Sequence, residues 1–169
     1  LGLHGGGVET VKFLARVGAK VTITDLRDKK KLAPALLSLK KCKTVKYILG
    51  KHRKKDFLHT EIIVKNPGVL PDSPYLKIAK NAGIPVTSDV GIFFKNFPGE
   101  IIGVTGTRGK STTTYLIWKF LRQKYKNKVH IGGNIRKSVL PLLAKSGKED
   151  LAVLELSSFQ LEDLAQEKF

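Results

Sequence analysis

The sequence predicts an α/β fold built from two units, and three observations support this. Short apolar runs that resemble strands alternate with longer segments of helical periodicity. Turns containing glycine or proline follow several of these runs. The stretch 96–99, Asn-Phe-Pro-Gly, interrupts the alternation, and a new strand–helix pattern begins after it. We therefore expect a first domain over 1–96 and a second over 97–169, with parallel strands.

The first domain begins with a glycine-rich turn typical of nucleotide-binding sheets. Residues 2–7 follow the G-x-G-x-x-G pattern except that His4 occupies the second glycine position. A helical apolar stripe comes next, and the following strand ends at Asp25, near the spacing of an acidic residue that binds a ribose hydroxyl. The pattern predicts a Rossmann-like sheet that binds a nucleotide-like ligand. NAD binding and a purely structural turn remain alternatives.

The other elements of the first domain follow in order. We predict helices over 31–41, 74–82 and 88–94, and strands at 44–49, 61–64 and 85–87. Residues 66–68, Asn-Pro-Gly, form a tight turn, because Pro67 fixes φ and Gly68 supplies a flexible position. This turn follows the carboxyl end of a buried strand, which is the edge where open α/β sheets bind ligands.

A strand, a glycine-bounded loop and a helix organise the second domain. The loop reads Gly106-Thr107-Arg108-Gly109-Lys110-Ser111-Thr112. Backbone N–H groups of such a loop converge with the helix N-terminus on one anion site. Lys110 could reach the β- and γ-phosphates of a nucleotide, and Ser111 or Thr112 could place a hydroxyl on Mg²⁺. The strict phosphate-loop pattern requires glycine where Val104 stands, so a plain glycine turn remains an alternative.

The predicted helix after the loop carries an apolar stripe on one side, formed by Leu116, Ile117, Phe120 and Leu121. We predict a strand at 129–131, a helix over 136–145 despite Pro141, and a strand at 151–156 that is buried on both faces. Only Glu155 is charged in that last strand, and a buried carboxylate is costly unless it is paired or bound to a cation. Beside a phosphate loop, Glu155 is a candidate Mg²⁺ ligand, with an ordinary strand-end glutamate as the alternative.

Composition narrows the class of protein. The formal net charge is +17, yet the lysines are spread over many segments and we find no aromatic residues interleaved with them. We therefore expect solvated basic faces that attract small anions rather than nucleic acid. No apolar run approaches the ~20 residues that span a membrane, and no signal peptide is visible. With a single cysteine, these features favour a cytoplasmic protein without membrane insertion.

Three motifs occur together in one known family. They are the loop at 106–112, the run Gly132-Gly133-Asn134-Ile135, and the segment 154–162, Leu-Glu-Leu-Ser-Ser-Phe-Gln-Leu-Glu. Together they resemble the Mur ligases, most closely the branch that adds D-glutamate. The resemblance covers nearly the whole chain but not the whole family protein, so we expect the chain to be a fragment with a truncated first strand and no C-terminal domain.

The resemblance implies an activity. In this branch a Rossmann-like domain binds the UDP part of UDP-N-acetylmuramoyl-L-alanine, a central P-loop ATPase domain phosphorylates the substrate carboxylate with ATP and Mg²⁺, and a C-terminal domain brings D-glutamate. The amine then attacks the acyl phosphate and forms an amide. We expect an ATP-dependent ligase of peptidoglycan precursor synthesis. We expect it to be a monomer whose partners are these small molecules. The 169 residues alone are expected to form no amide bond.

The resemblance also assigns roles to residues. The expected uridine contacts are Gly5, Gly6, Asp25, Arg27 and Gly68. Asn134 is the expected diphosphate contact, and 106–112 is the expected ATP loop. Lys110 and Glu155 are the expected catalytic residues, and Ser111 and Glu155 the expected metal ligands. Ser157 and Gln160 lie in the segment that distinguishes this branch, and we expect both to bind substrate.

Four residues depart from the family pattern. Arg108 stands where asparagine is usual, His4 and Arg136 where glycine is usual, and Gly91 where glutamate is usual. These departures indicate a divergent member. A sister Mur ligase or a folylpolyglutamate synthase-like amide ligase remains an alternative enzyme, and a basic module that binds nucleotide or nucleic acid remains the non-enzymatic alternative.

Overall fold

The computed structural model describes residues 1–3, 6–134 and 138–167. The chain divides into two compact units, Leu1–Asp89 and Val90–Phe169. The predicted domain limits at 96/97 remain a prediction, and the compact units divide earlier because the helix that begins at Asp89 groups with the second unit. In that unit the Phe93 ring stacks on Phe97 with ring centroids 4.8 Å apart, and the edge of Phe97 contacts His130.

The first unit alternates helices with short strands. Its elements are α1 (Gly7–Arg16), β1 (Val21–Asp25), α2 (Ala33–Ser38), β2 (Val45–Leu49), α3 (Lys54–Leu58), β3 (Ile63–Lys65), α4 (Pro74–Asn81) and β4 (Val86–Ser88). β1 pairs with β2 and β3 pairs with β4, and both pairs are parallel. Helix α2 is shorter than the predicted 31–41, and Pro34 lies in its first turn, where the missing N–H breaks no helical hydrogen bond.

Residues 1–3 lie between the two strand pairs of this unit. The Leu1 amine donates to the Val64 carbonyl at 2.8 Å, and the Asn66 N–H donates to the Leu1 carbonyl at 3.0 Å. On the other side, the Gly2 N–H donates to the Thr24 carbonyl at 3.0 Å. These bonds connect β1 to β3 through residues 1–2 and place the glycine turn at the carboxyl edge of both strands.

Two apolar clusters hold the first unit together. One is formed by Leu3, Val11, Ile23, Leu32 and Leu39, and the other by Phe57, Ile63, Leu76 and Ala79. The first cluster packs α1 and α2 on β1, and the second packs α3 and α4 on β3. Helices α1, α2 and α4 therefore cover the strands with apolar residues, whereas α3 was not among the predicted helices.

The second unit contains a three-stranded parallel sheet. Its elements are α5 (Asp89–Asn96), β5 (Glu100–Val104), α6 (Lys110–Tyr125), β6 (Val129–Gly133), β7 (Leu151–Glu155) and α7 (Ser158–Ala165), with 3₁₀ helices at Lys126–Lys128 and Leu140–Lys145. The strand order is β5-β7-β6. In both pairings the register places Glu155 at the carboxyl end of the sheet, opposite Val104 on one side and Gly133 on the other.

Strand β7 is buried on both faces, as predicted. Ala152, Val153 and Leu154 are fully buried, and helix α6 packs on the cluster that contains Val153. The predicted helix over 136–145 is wrong in its described part, where a 3₁₀ helix spans Leu140–Lys145; positions 135–137 lie outside the described residues. Pro141 has no N–H to donate and disfavours an α-helix through this segment.

The apolar residues of α6 do not form one buried stripe, which corrects the prediction. Ile117 and Leu121 pack against the sheet, whereas Leu116 and Phe120 are 45% and 67% exposed. At about 100° per residue the four positions span an arc of about 140° around the helix, and the sheet covers only the side that carries Ile117 and Leu121. No helix among the described residues is long and apolar enough to cross a membrane.

A second correction concerns the basic surface of this helix. Exposed aromatic side chains do lie among its basic residues: Tyr115, Phe120 and Tyr125 are all at least 38% exposed, and the Lys124 ammonium lies 5.1 Å from the Tyr125 ring centroid. The expected separation of basic and aromatic residues is therefore wrong for α6.

Candidate functional site

The loop between β5 and α6 depends on glycine at two positions. Gly106 has φ +150° and Gly109, which directly precedes the helix, has φ +76°. Residues that carry a side chain rarely adopt these backbone conformations. The Lys110 ammonium donates to the Gly106 carbonyl at 2.8 Å and so closes the loop over four residues. Thr107 and Arg108 are exposed at its centre, and Ser111 and Thr112 are exposed in the first turn of α6.

A buried carboxylate lies beside this loop. Glu155 is 4% exposed at the end of β7. Its Oε2 accepts a hydrogen bond from the Ser111 hydroxyl at 2.6 Å, and its Oε1 accepts one from the Asn134 side-chain Nδ2 at 3.2 Å. The structure therefore brings together three predicted site residues from α6, β7 and the segment after β6.

The close approach of β6 to this carboxylate requires glycine at position 133. Gly133 has φ +93°, and a Cβ at this position would lie 2.1 Å from the Glu155 carbonyl oxygen. Any side chain would therefore push the end of β6 away from β7. Asn134 follows directly, and its backbone N–H donates to the same carbonyl at 2.9 Å.

The donor set around Glu155 suits a hydrated Mg²⁺ that also binds phosphate. In the described part of the chain, the groups that bond the carboxylate are a neutral hydroxyl and a neutral amide, which do not cancel its negative charge. Among residues 1–3, 6–134 and 138–167, no group of three or more His, Cys, Asp or Glu side chains could form an all-protein metal cage. Mg²⁺ commonly uses one or two carboxylates together with waters and substrate phosphates, so one buried carboxylate beside a phosphate-type loop fits this ion.

In the first unit, Asp25 is bonded on both oxygens. Its Oδ1 accepts from the Arg27 backbone N–H at 2.9 Å and from Arg27 Nε at 3.0 Å. Its Oδ2 accepts from the Leu3 N–H at 2.8 Å and from Arg27 Nη2 at 2.7 Å. Burial by itself raises the pKa of Asp25, but the hydrogen bonds from Arg27 and Leu3 outweigh it and lower the pKa to about 2.

This arrangement changes what Asp25 can do directly. The carboxylate holds the Arg27 guanidinium and the Leu3 backbone, while the Arg27 side chain remains 35% exposed. Asp25 therefore orients an accessible cation next to the glycine turn. The predicted contact of Asp25 with a ribose remains a prediction, and any such hydroxyl would have to share oxygens that already accept two bonds each.

The glycine turn and the 66–68 turn lie side by side. A Cβ on Gly7 would lie 2.6 Å from the Gly2 carbonyl oxygen and 3.6 Å from Asn66 Nδ2. Gly68 donates its N–H to Asn66 Oδ1 at 3.2 Å. A cavity of about 1130 Å³ is lined by residues of both turns, including Gly6 and Asn66. The predicted contact Gly5 lies outside the described residues.

His52 is partly buried, although a histidine at this position in the sequence is typical of a turn or surface residue. A 2.6 Å hydrogen bond joins its Nδ1 to the hydroxyl of Thr24, the neighbour of Asp25. The ring packs edge-on against Phe57 and Tyr75, with centroids 5.8 and 5.0 Å away. Burial lowers the pKa of His52, against an opposing effect of Asp25. No periodicity marks such a contact between distant residues.

Ser157 and Gln160, both predicted to bind substrate, form the N-terminal cap of α7. The Gln160 N–H donates to Ser157 Oγ at 3.3 Å, and the Ser157 N–H donates to Gln160 Oε1 at 3.0 Å. This reciprocal pair is a capping box, and the spacing Ser-x-x-Gln is its sequence signal. Their predicted contact with substrate remains a prediction.

Comparison with known proteins identifies the family. The model for the Mur ligase MurD-like N-terminal domain matches residues 1–88, and the model for the Mur ligase middle domain matches residues 104–168. The chain belongs to the Mur ligase family. The resemblance and the α/β fold inferred from the sequence are thereby confirmed.

Curated relatives include two proteins named UDP-N-acetylmuramoylalanine–D-glutamate ligase. The one from Roseiflexus sp. (strain RS-1) is 46% identical over 98% of this chain and 35% of its own length. The one from Borreliella burgdorferi (strain ZS7) is 42% identical over 97% of this chain and 36% of its own length. The chain therefore spans about a third of the length of these Mur ligases.

Among solved structures, a pseudomurein peptide ligase type C from Methanothermus fervidus is similar over 89% of this chain and 30% of its own length. The sequence identity is 21% and the TM-score is 0.43. At that TM-score the likeness carries no weight for fold or function.

Proposed function

We propose that the full-length gene product is an ATP-dependent ligase that joins D-glutamate to UDP-N-acetylmuramoyl-L-alanine in the cytoplasmic synthesis of peptidoglycan precursors. Membership in the Mur ligase family and the names of the curated relatives support the reaction class and the substrates. One observation carries the proposal: Ser111, Glu155 and Asn134 meet beside the 106–112 loop at the carboxyl edge of a parallel sheet.

In this proposal the second unit binds Mg²⁺ and ATP. The N–H groups of the loop and of the first turn of α6 bind the phosphates, where the helix N-terminus favours negative charge. Lys110 exchanges its bond to the Gly106 carbonyl for phosphate oxygens. Ser111 and Glu155 hold the Mg²⁺, which when bound neutralises phosphate charge.

The first unit then binds the UDP end of the other substrate. Arg27 presents its guanidinium, fixed by Asp25, to the uridine or its phosphates. The adjacent turns let a ligand approach the backbone closely at Gly6 and Gly68, because neither residue has a side chain. These contacts suit the nucleotide end of the UDP-linked substrate rather than its reacting carboxylate.

The chemistry follows from the ligase class. The substrate carboxylate attacks the γ-phosphorus of ATP, the bond to the β-phosphate oxygen breaks, and an acyl phosphate and ADP form. The amine of D-glutamate then attacks the acyl carbon, loses a proton and expels phosphate, leaving the amide. Lys110 contributes positive charge at the phosphate whose charge shifts during transfer.

The test is a coupled assay on the full-length gene product. With Mg²⁺, ATP and UDP-N-acetylmuramoyl-L-alanine, we expect stoichiometric ADP release and an amide product with D-glutamate but not with L-lysine or diaminopimelate. Turnover with one of those amino acids would indicate a sister ligase, and turnover with a folate and L-glutamate would indicate a folylpolyglutamate synthase-like enzyme. We also propose a monomer, which size-exclusion chromatography with light scattering would test.

A further inference from the structure

We propose that Asn134 is a positioning residue, whose side-chain amide fixes the Glu155 carboxylate in the orientation that holds a divalent cation beside the 106–112 loop. The inference rests on the proposed nucleotide function of that loop. It gives Asn134 a role towards the metal carboxylate that is separate from the expected contact with a substrate diphosphate.

The geometry restrains both oxygens of the carboxylate. Ser111 on α6 bonds Oε2 at 2.6 Å, and Asn134 after β6 bonds Oε1 at 3.2 Å. A carboxylate with one bonded oxygen could still rotate about its Cγ–Cδ bond. With both oxygens bonded by groups from different elements, its plane is set relative to the loop.

The amide donor is itself firmly placed. The Asn134 backbone N–H bonds the Glu155 carbonyl at 2.9 Å, so the two residues are joined through both their backbones and their side chains. Gly133 permits this approach because a Cβ there would lie 2.1 Å from the same carbonyl. Because Asn134 is held at the end of β6, its side-chain bond restrains the Glu155 carboxylate relative to that strand.

The chemistry of the donor also matters. A lysine or arginine at position 134 would neutralise the carboxylate and compete with a cation. A neutral amide orients the oxygen and leaves its full charge available, which is the usual role of groups that bond metal ligands from outside the coordination sphere. Removing such groups typically weakens metal affinity by about 10- to 100-fold.

Asn134→Ala separates this role from a purely structural one. The substitution deletes the side-chain bond but keeps the backbone bond that shapes the turn. Asn96→Ala is the matched control, since Asn96 also donates its Nδ2 to an oxygen of the second unit, the Ile92 carbonyl at 2.7 Å, on a helix that carries no predicted site residue.

The first experiment measures Mn²⁺ affinity by electron paramagnetic resonance with the protein saturated by ADP, and ADP affinity in EDTA by calorimetry. We expect Asn134→Ala to weaken Mn²⁺ binding by about 10- to 100-fold, while metal-free ADP affinity and the melting temperature stay close to wild type. Asn96→Ala should match wild type in all three measurements. Wild-type Mn²⁺ affinity in Asn134→Ala would overturn the proposal.

The second experiment needs no nucleotide and so distinguishes this proposal from the function of the loop. Asn134→Asp places a second carboxylate within hydrogen-bond distance of Glu155. We expect this variant to bind Mn²⁺ without ADP and to lose that binding when Glu155→Gln is added. If Asn134→Asp gains no Mn²⁺ binding, the inferred placement of the residue 134 side chain beside the Glu155 carboxylate is wrong. If it gains binding while wild type binds no ADP, the proposed function fails and the placement of Asn134 stands.

Discussion

At the residue scale, Lys110 is a charged side chain that is expected to act in the nucleotide site but contributes little to the stability of the fold. Its ammonium bonds only the carbonyl of Gly106 among the contacts described, within its own exposed loop. The sequence predicted the lysine and the loop glycines from the spacing of a strand–loop–helix unit, and Glu155 as a carboxylate at the end of a neighbouring buried strand. The contact between Ser111 and Glu155, 44 positions apart, needed the structure.

Replacing Lys110 with alanine should abolish most activity and leave the fold intact. In the full-length gene product we expect kcat to fall by about 10²- to 10³-fold or more, because a positive charge aimed at the transferring phosphate is lost. The melting temperature should not change, since the lost bond is local. Steady-state kinetics and circular dichroism measure the two effects, and turnover within a few-fold of wild type would show that the loop is structural.

Asp25 should make the stability of the first unit depend on acid pH. Its pKa is lowered to about 2, so the folded state binds the proton less readily than the unfolded state does. The stabilisation is therefore complete above the ordinary aspartate pKa of about 4 and disappears as the pH falls from there towards 2. With partial solvent screening, we expect Asp25→Asn to lower the unfolding free energy by about 1–2 kcal/mol at pH 7.

Urea unfolding at pH 7 and at pH 2.5 would measure this effect. The difference between wild type and Asp25→Asn should shrink at the lower pH. Asp72→Asn, at an exposed position outside the described hydrogen bonds of this site, is the surface control. An equal difference at both pH values would mean that the carboxylate charge contributes nothing and that only packing was lost.

At the scale of elements, the best predicted parts are those whose periodicity and burial agree. Strand β7 is an example, because its apolar run is buried on both faces. The stripe on α6 and the helix around Pro141 were predicted less well. An apolar side chain on a helix does not reveal which neighbour will cover it, and a proline permits a short 3₁₀ helix that mimics helical spacing.

The cap of α7 offers a test that separates two roles of Ser157. Ser157→Ala removes the acceptor for the Gln160 N–H and should lower the unfolding free energy by about 0.5–2 kcal/mol. Ser157→Asp preserves an N-cap acceptor and should restore most of that stability. Urea denaturation gives both values.

Kinetics on the same two variants would then decide the substrate role. If Ser157 also contacts substrate, as predicted, Ser157→Asp should restore stability but not the KM for the UDP-linked substrate or D-glutamate. Full kinetic recovery in Ser157→Asp would indicate that the residue acts only as a helix cap.

At the scale of the whole molecule, two units each present loops at the carboxyl ends of parallel strands, and that repetition made the fold class predictable. The net charge of +17 was equally plain from the sequence. The sequence did not predict how this charge is arranged on the surface. Tyr115, Phe120 and Tyr125 are exposed among the lysines of α6, and their exposure depends on how the helix packs.

The exposed aromatic and basic residues of α6 lead to a prediction about binding of nucleic acid. We expect weak, purely electrostatic binding that is lost between about 50 and 200 mM salt, since phosphate contacts alone depend steeply on ionic strength. Gel shifts with single-stranded RNA and DNA across that range would measure it, with Phe120→Ala as a test of stacking. Binding that persists at 200 mM salt and falls in Phe120→Ala would favour the nucleic-acid-binding alternative.

The strand order β5-β7-β6 has a consequence for the order of events during synthesis. Among the described strands, the central one leaves the ribosome last of the three, so β5 and β6 have no partner among these strands until residue 155 has emerged. A nascent chain up to residue 150 would thus carry the glycine loop and two unpaired strand edges, a state prone to wrong association. The emergence of Glu155 would then join these three strands and bring Ser111 and Asn134 to the carboxylate in a single step.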